Sequence, residues 1–411
     1  MAKNRRIFRV VWDAGTHALE AALTDAEVSR RKKGLHGFPQ RSGSPLFGGS
    51  SMFVALVYNA KPSARSAIAE KGGQMLPEGD DEPPPLVESG SEDDQYAEWD
   101  DEETILAVAN ALATRHRVVL LEATASLADR VRKVHPDLVF NIAEGAAGVS
   151  REAQVPALLE MLGIPYTGSD PLTLALCLDK AWTKAILATH GVPTAPFAVV
   201  DSLASLSSAS TVPLPAMVKP MYEGSSKGIK DDQLVADQAV LLDRTQRVLQ
   251  EYQQPVLIEA FLPGREFTVG ILGNGPSLRV LPPVEIRFDA FPSQANRIYS
   301  WEAKWVWDRP EDPLDVFQCP ADLTDTERST IDALCRDVAR VLRIRDWARI
   351  DIRMDAAGIP NIIEINPLPG ILPDPKANSC YPKAARTMGL SYDEMICAVA
   401  DAAIQRLGLA S

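Results

Sequence analysis

Residues 348–370, ARIDIRMDAAGIPNIIEINPLPG, constrain the fold more than any other stretch of the chain. Two alternating runs flank a turn at Ala356-Ala357-Gly358, the pattern of an antiparallel hairpin. Ile350, Ile352 and Met354 share one face and would anchor it in a core. Pairing Asp355 with Pro360 sets Asp351 opposite Glu364, and Arg349 opposite Asn366, on the other face. Like charges directly opposite destabilise a hairpin, so the placement needs a reason. The carboxylates read as two solvated surface groups, as a structural pair neutralised by an arginine, or as ligands to a hard cation. Asn366 favours the third reading, because two carboxylates and an amide oxygen suit Mg2+, which typically shares its shell with phosphates.

Upstream, strands expected over 53–58, 118–122 and 138–142 alternate with helices expected near 103–113, 127–134 and 151–162. This alternation predicts a parallel sheet with covering helices. TGSDPL then opens a second unit, in which LDKAWTKAILATHGVPT reads as a helix capped by Asp179 and stopped by Gly191 and Pro193. Strands AMVKP and VLIEAFL follow. A third unit, from about residue 273, carries the hairpin and ends in a helix over 392–406. The expected class is α/β, becoming α+β in the C-terminal half. Its domains are an N-terminal parallel domain (52–170), a central α+β subdomain (171–272) and a C-terminal antiparallel-sheet subdomain (273–411).

The charge distribution separates this core from two other segments. The formal net charge is -13, yet residues 78–103 hold 13 acidic residues and no Lys or Arg, so the remainder is neutral. That acidity suits a solvated loop, and about 64–100 is expected to be a disordered insertion. Residues 1–51, basic and then rich in Gly, Ser and Pro, are expected to be disordered, with Met52 as an alternative start. No basic stripe points to nucleic acid. No apolar run reaches the roughly 18 residues of a membrane span, and the N-terminus lacks a signal-peptide core, so a cytoplasmic protein is expected. Five cysteines without a CxxC pair indicate neither a disulfide framework nor a structural zinc site.

Two further stretches carry chemistry. In MVKPMYEGSSKGI a strand ends at Lys219, and the loop from Glu223 through Ser225, Ser226 and Gly228 offers backbone N–H groups and hydroxyls able to wrap a phosphate. It is not a P-loop, since GxxxxGK[ST] does not occur. In VLIEAFLPGREFTVGILG, Glu259 ends an apolar strand and Glu266 follows seven residues later, where a carboxylate could bond ribose hydroxyls or simply face water. The five histidines (17, 36, 116, 135, 190) leave the C-terminal half with none, which excludes a Ser-His-Asp mechanism or a His-rich zinc site there.

Lysines 180 and 219, the Gly/Ser loop, the linker-strand glutamate and the Asp/Glu/Asn hairpin, in this order, resemble the ATP-grasp superfamily. More closely, the chain resembles the D-alanine–D-alanine ligase family. The carrying segments, from about 54 to 406, include LLEMLGIPYTGSDPLTLALCLDKAWTK, VKPMYEGSSKGI, VLIEAFLPGREFTVGILG, EAKW, ARIDIRMD, IEINPLPG and SCYPKAARTMGLSYDEMI. The resemblance implies an ATP-grasp fold with a Rossmann-like N-terminal domain. Lys180, Lys219 and Lys304 would hold ATP phosphates together with the loop bearing Glu223 and Ser226. The segment Glu259, Phe261, Leu262 would contact adenine, and Glu266 the ribose. Asp351, Glu364 and Asn366 would bind two Mg2+ ions, with Mn2+ able to substitute. A substrate carboxylate would attack the γ-phosphate, and a second substrate's amine would attack the resulting acyl phosphate. Arg349 and the Gly370 N–H would meet the oxyanion, while Ser225 orients the amino acids. It further implies small amino-acid substrates, a homodimer and a place in peptidoglycan (cell-wall) biosynthesis.

Positions that touch substrate depart from the family. Its glutamate after the first strand falls near Ala64 in YNAKPSARS, leaving Glu98, Glu102 and Glu103 as substitutes. A His-Gly pair is replaced by Glu144-Gly145, and a tyrosine after EAK by Trp305, which donates but cannot accept a hydrogen bond. The serine expected at the second substrate's carboxylate is Ser379, nine residues after Gly370, where the family has fewer. The expected function is an ATP-dependent carboxylate-amine ligase, a D-alanine–D-alanine ligase or close relative. The alternatives are a ligase of another amino or hydroxy acid in specialised metabolism and a non-catalytic nucleotide-binding protein.

Overall fold

The computed structural model describes residues 51–71, 96–224, 230–291, 296–300 and 316–409. β1 (Phe53–Tyr58) lies between β2 (Arg117–Glu122) and β3 (Leu138–Asn141), and both pairings are parallel, Val54 facing Val118 and Leu138. β1 is apolar throughout because both its faces are covered. Helices α1 (Pro62–Lys71), α2 (Glu102–Ala113), α3 (Leu127–Val134) and α4 (Gln154–Leu162) accompany this sheet. Val54 and Leu56 pack with Ile105, Val108 and Leu112 of α2, whereas Ala55 and Val57 pack with Leu127, Val131 and Leu159. Asp101 caps α2, its carboxylate accepting the Thr104 N–H at 2.8 Å.

The structureless stretch expected over 64–100 is shorter than read. Its start is helical in α1, and at its end Trp99 is only 4% exposed. Residues 72–95 lie outside the described residues, as does the extension over 1–50.

α5 (Pro171–Leu178) and α6 (Lys180–Thr189) join at Asp179, which ends the first helix and caps the second through the Trp182 N–H at 2.9 Å. Gly191, at φ +74, takes the left-handed conformation just past the end of α6. A four-stranded antiparallel sheet follows, in the order β4 (Phe197–Val200), β7 (Val256–Ala260), β5 (Ala216–Pro220), β6 (Leu234–Val235). α7 (Gln238–Tyr252) covers it through Leu241, Val248 and Tyr252.

The largest sheet holds β8 (Glu266–Leu272), β9 (Arg279–Val280), β10 (Val284–Ile286), β11 (Phe317–Gln318), β12 (Trp347–Met354) and β13 (Pro360–Asn366), in the order β11-β10-β8-β12-β13 with β9 on β8. β8 therefore belongs with the hairpin and not with the central segment expected over 171–272, because it pairs antiparallel with β12 from Trp347–Leu272 to Arg353–Glu266. Asp351 faces Glu364 and Arg349 faces Asn366, as the alternation predicts. At the turn, however, Pro360 faces Met354 and not Asp355, and a bulge at Ile363 absorbs the extra residue.

Ile350 and Ile352 are fully buried against Phe267, Val269 and α8 (Asp325–Leu342). Each such side chain contributes about 1.5–3 kcal/mol by burial, enough to hold a hairpin whose opposite face is charged. α9 (Cys380–Thr387) and α10 (Tyr392–Leu407) close the chain. Met395, Ile396 and Val399 of α10 return to the first sheet and join Val54 and Leu56 in one core.

Candidate active site

Three neighbouring strands build the centre of the site. Thr268 on β8, Asp351 on β12 and Glu364 on β13 stand side by side in the pairing register. Arg349, two residues from Asp351 and so on the same face, grips its carboxylate with Nη2 at 2.9 Å and Nε at 3.1 Å. Thr268 Oγ1 donates to Asp351 at 2.9 Å, and Asn366 Nδ2 at 3.3 Å. Lys180, in the first turn of α6, reaches Glu364 at 2.9 Å. Two carboxylates ~4 Å apart would repel by about 4 kcal/mol at an effective dielectric near 20, and Arg349 and Lys180 offset that repulsion. Burial opposes ionisation of Glu364, but Lys180, with Arg349 and Lys219, outweighs it and holds the carboxyl below its ordinary value.

A second cluster lies beside it. Glu259, 2% exposed, bonds Lys219 at the end of β5 and Lys184 of α6, the latter at 2.7 Å. Burial works against its charge, and the two ammonium groups overcome this and hold it at about 2. Lys184 escapes a reading based on motifs. Its signal is the spacing of four from Lys180, which puts both on one face of a helix.

Glu266 pairs with Arg353, whose Nε donates to the Leu262 carbonyl at 2.6 Å and whose guanidinium lies 4.5 Å from the Phe261 ring centroid. Arg353, also missed from the sequence, thus ties the 261–262 linker to the sheet.

Lys219, Glu259, Glu266, Thr268, Arg349, Asp351, Arg353, Glu364 and Asn366 open on one cavity of about 520 Å3, which Gly370 and Ser379 also line, while Lys180 and Lys184 stand behind the carboxylates they bond. Ser379 Oγ accepts the Leu372 N–H at 3.2 Å and donates to the Gly370 carbonyl at 3.1 Å, so it closes the 370–379 loop on itself. The Glu223 carboxylate accepts from Gln254 at 2.8 Å, while its carbonyl receives Lys180. Ser225, Ser226, Lys304 and Trp305 lie outside the described residues.

The opposite wall comes from the first domain. Glu98 receives Arg151 Nη2 at 2.8 Å and the Gly224 N–H at 2.8 Å, and Arg151 Nη1 reaches the Tyr222 carbonyl at 2.9 Å. Glu98 therefore fixes the root of the Gly/Ser loop. Of the substitutes weighed for the family glutamate, it lines the cavity and Glu102 and Glu103 do not. Gly145 sits at φ +78, where a Cβ would meet the Arg151 carbonyl oxygen at 2.5 Å, so only glycine fits. Asn59 Oδ1 accepts the Gly145 N–H at 2.9 Å and Trp99 Nε1 donates to its carbonyl at 3.0 Å, which sets Glu144 on the wall. Burial, then Glu152 and Glu98, push the Glu144 carboxyl well up, with Arg151 opposing. Burial likewise pushes Glu152 up to about 8 against the pull of Arg151.

The family model described as "D-ala D-ala ligase C-terminus" matches residues 186–400. A Sinorhizobium fredii protein described as "Uncharacterized protein y4sG" is 35% identical over 303 residues, 71% of this chain and 84% of the relative. A D-alanine–D-alanine ligase of Acinetobacter baumannii is 31% identical over 276 residues, covering 66% and 81%, and one of Bordetella petrii 34% identical over 267, covering 64% and 74%. The crystal structure of the Bacillus anthracis D-alanine–D-alanine ligase complexed with ATP superposes with a TM-score of 0.60 at 20% identity, over 86% of this chain and 98% of that one.

Proposed function

The chain belongs to the D-alanine–D-alanine ligase family and is an ATP-dependent ligase, and from that premise we propose that it joins the carboxylate of one amino acid to the amine of a second, with D-alanine as the leading candidate for both. The observation that carries this reading is the convergence of Asp351, Glu364 and Asn366 with Arg349 and Lys219 on one cavity, with Lys180 bonded to Glu364 beside it.

The donor set fits Mg2+: hard oxygen ligands, two of them anionic, already crowded enough to need counter-charges. Asp351, Glu364 and Asn366 would hold two ions, with Mn2+ able to replace them, and the bound metal would supply neutralisation of phosphate charge. Lys180 and Lys219 bind the polyphosphate, and each must exchange its present carboxylate for a phosphate oxygen to do so. The first substrate's carboxylate oxygen bonds to the γ-phosphorus as the bond to the ADP oxygen breaks. The second substrate's amine then attacks the acyl carbon, and phosphate leaves. Arg349, released from Asp351, and the Gly370 N–H would stabilise the oxyanion between these steps. Phe261, Leu262 and Glu259 would bound the adenine and Glu266 the ribose, while Ser225 and Lys304 keep the roles that the family resemblance gives them.

The second reading, a ligase of a different amino or hydroxy acid, is favoured by Glu144 on the cavity wall where the family carries an imidazole. No described helix is long and apolar enough to cross a membrane. A cytoplasmic homodimer supplying peptidoglycan construction completes the proposal, and the free cysteines suit a reducing compartment.

The test is phosphate release from MgATP with D-alanine, L-alanine and other amino acids, singly and in pairs. Release with D-alanine that is lost in Asp351→Asn supports the leading reading. Release only with another pair supports the second, and none with any pair sinks both.

A further inference from the structure

The first-domain wall of the cavity carries more carboxyl groups than its own cations bond. Asp100, Glu144 and Glu152 all line it. Among the described residues, none of their side chains has a hydrogen bond or ion pair, although Glu152 is only 9% exposed. Buried carboxylates are ordinarily paired. Lys61, on the same wall, acts on Asp100. Arg151, the nearby guanidinium, directs its hydrogen bonds to Glu98 and to the Tyr222 carbonyl. That leaves Glu144 and Glu152, which face one cavity; Arg151 acts on both and Lys180 on Glu152, but neither cation bonds them.

Their complement is a cation, and one that two carboxyl groups can hold without further protein ligands. The complement is an organic cation bearing several N–H donors. An ordinary amino acid brings one ammonium group, which balances one of the two carboxylates. An amino acid with a second amino group brings two.

We propose that Glu144 and Glu152 seat the two cationic groups of a diamino acid, such as ornithine, as one of the two substrates. The proposal rests on the ligase reading and narrows its substrate class. The upward push on both carboxyls in the empty cavity agrees with it, since each would ionise readily only beside an incoming positive charge.

The test is calorimetric titration of the full-length protein, with Mg2+ and a non-hydrolysable ATP analogue present, using each enantiomer of ornithine and of norvaline. Norvaline has the same carbon chain without the side-chain amine. A charged hydrogen bond in a buried seat predicts that the better ornithine enantiomer binds at least about tenfold more tightly than its norvaline counterpart. Most of that preference should vanish in Glu144→Gln and in Glu152→Gln. Equal binding of ornithine and norvaline by the wild type overturns the proposal without recourse to any variant, as does a preference that survives both substitutions. Phosphate release, measured in parallel, separates the two levels. Release with D-alanine and no ornithine preference removes the seat and keeps the ligase. Ornithine preference with no release from any amino acid keeps the seat and removes the ligase.

Discussion

Lys180 and Lys184 lie one turn apart on α6 and end on different carboxylates, Lys180 on Glu364 of the hairpin and Lys184 on Glu259 of the central sheet. One helix face thus serves both halves of the proposed nucleotide site. Lys184 is 1% exposed and bonds Thr194 at 2.9 Å as well, so it has no freedom to follow a phosphate. Its role is to keep Glu259 neutralised when Lys219 turns away.

Lys184→Met should therefore weaken ATP binding more than it weakens the fold. Lys219 still answers Glu259 in the empty protein, so the stability loss should stay below the roughly 3–5 kcal/mol of a fully broken buried pair. With nucleotide bound, Glu259 would hold Lys219 back, and affinity should fall by about tenfold or more. Nucleotide titration alongside chemical denaturation checks this, and unchanged affinity would count against the role.

Asp351→Asn should abolish phosphate release by about 100- to 1,000-fold, the usual cost of losing one preorganised charged contact. The melting temperature of the empty protein should move little, because the lost attraction to Arg349 and the relieved repulsion from Glu364 oppose each other. Turnover at saturating Mg2+ and a thermal melt decide it together.

The hairpin shows how much was legible. Its period of two placed Asp351 against Glu364 and Arg349 against Asn366 from letters alone, since one buried face leaves no freedom to slip by a residue. The bulge at Ile363 carries no such signature. Lys184 and Arg353 escaped notice because only tertiary burial marks them out from other basic residues. The Glu98–Arg151 bridge joins residues 53 apart, and Glu98 lies at the end of the segment that composition marked as a loop. Pairing at that distance has no periodicity to reveal it.

Asp346→Ala should destabilise the whole protein by about 3–5 kcal/mol. Asp346 is fully buried and accepts from Arg406 at 2.8 and 2.9 Å, from Asn274 at 2.7 Å and from the Gly168 N–H at 2.8 Å. Its loss strands a guanidinium and a backbone donor together. Urea unfolding gives the value, and a change under about 1 kcal/mol would contradict this account.

Stability should fall as pH rises from about 4 to about 8. Asp100 is pushed up to about 8 by burial and by Asp101, against Lys61, and Glu152 moves the same way. An unfolded chain loses these protons near pH 4, so across that window the folded state holds more of them, and stability present below it is lost as pH climbs through the folded values. Asp100→Asn should flatten the decline by up to a few kcal/mol. Parallel melting-temperature curves for variant and wild type would refute the assignment.

The return of α10 to the first sheet has a consequence for biosynthesis. β1 leaves the ribosome more than 300 residues before Met395, Ile396 and Val399, the side chains that complete its core. Domains made early usually fold while the rest is still being translated. Here α2 covers Val54 and Leu56 first, and α10 completes that core from the far side of α2, so a nascent chain halted before residue 392 would leave the apolar flank of α2 open to chaperones.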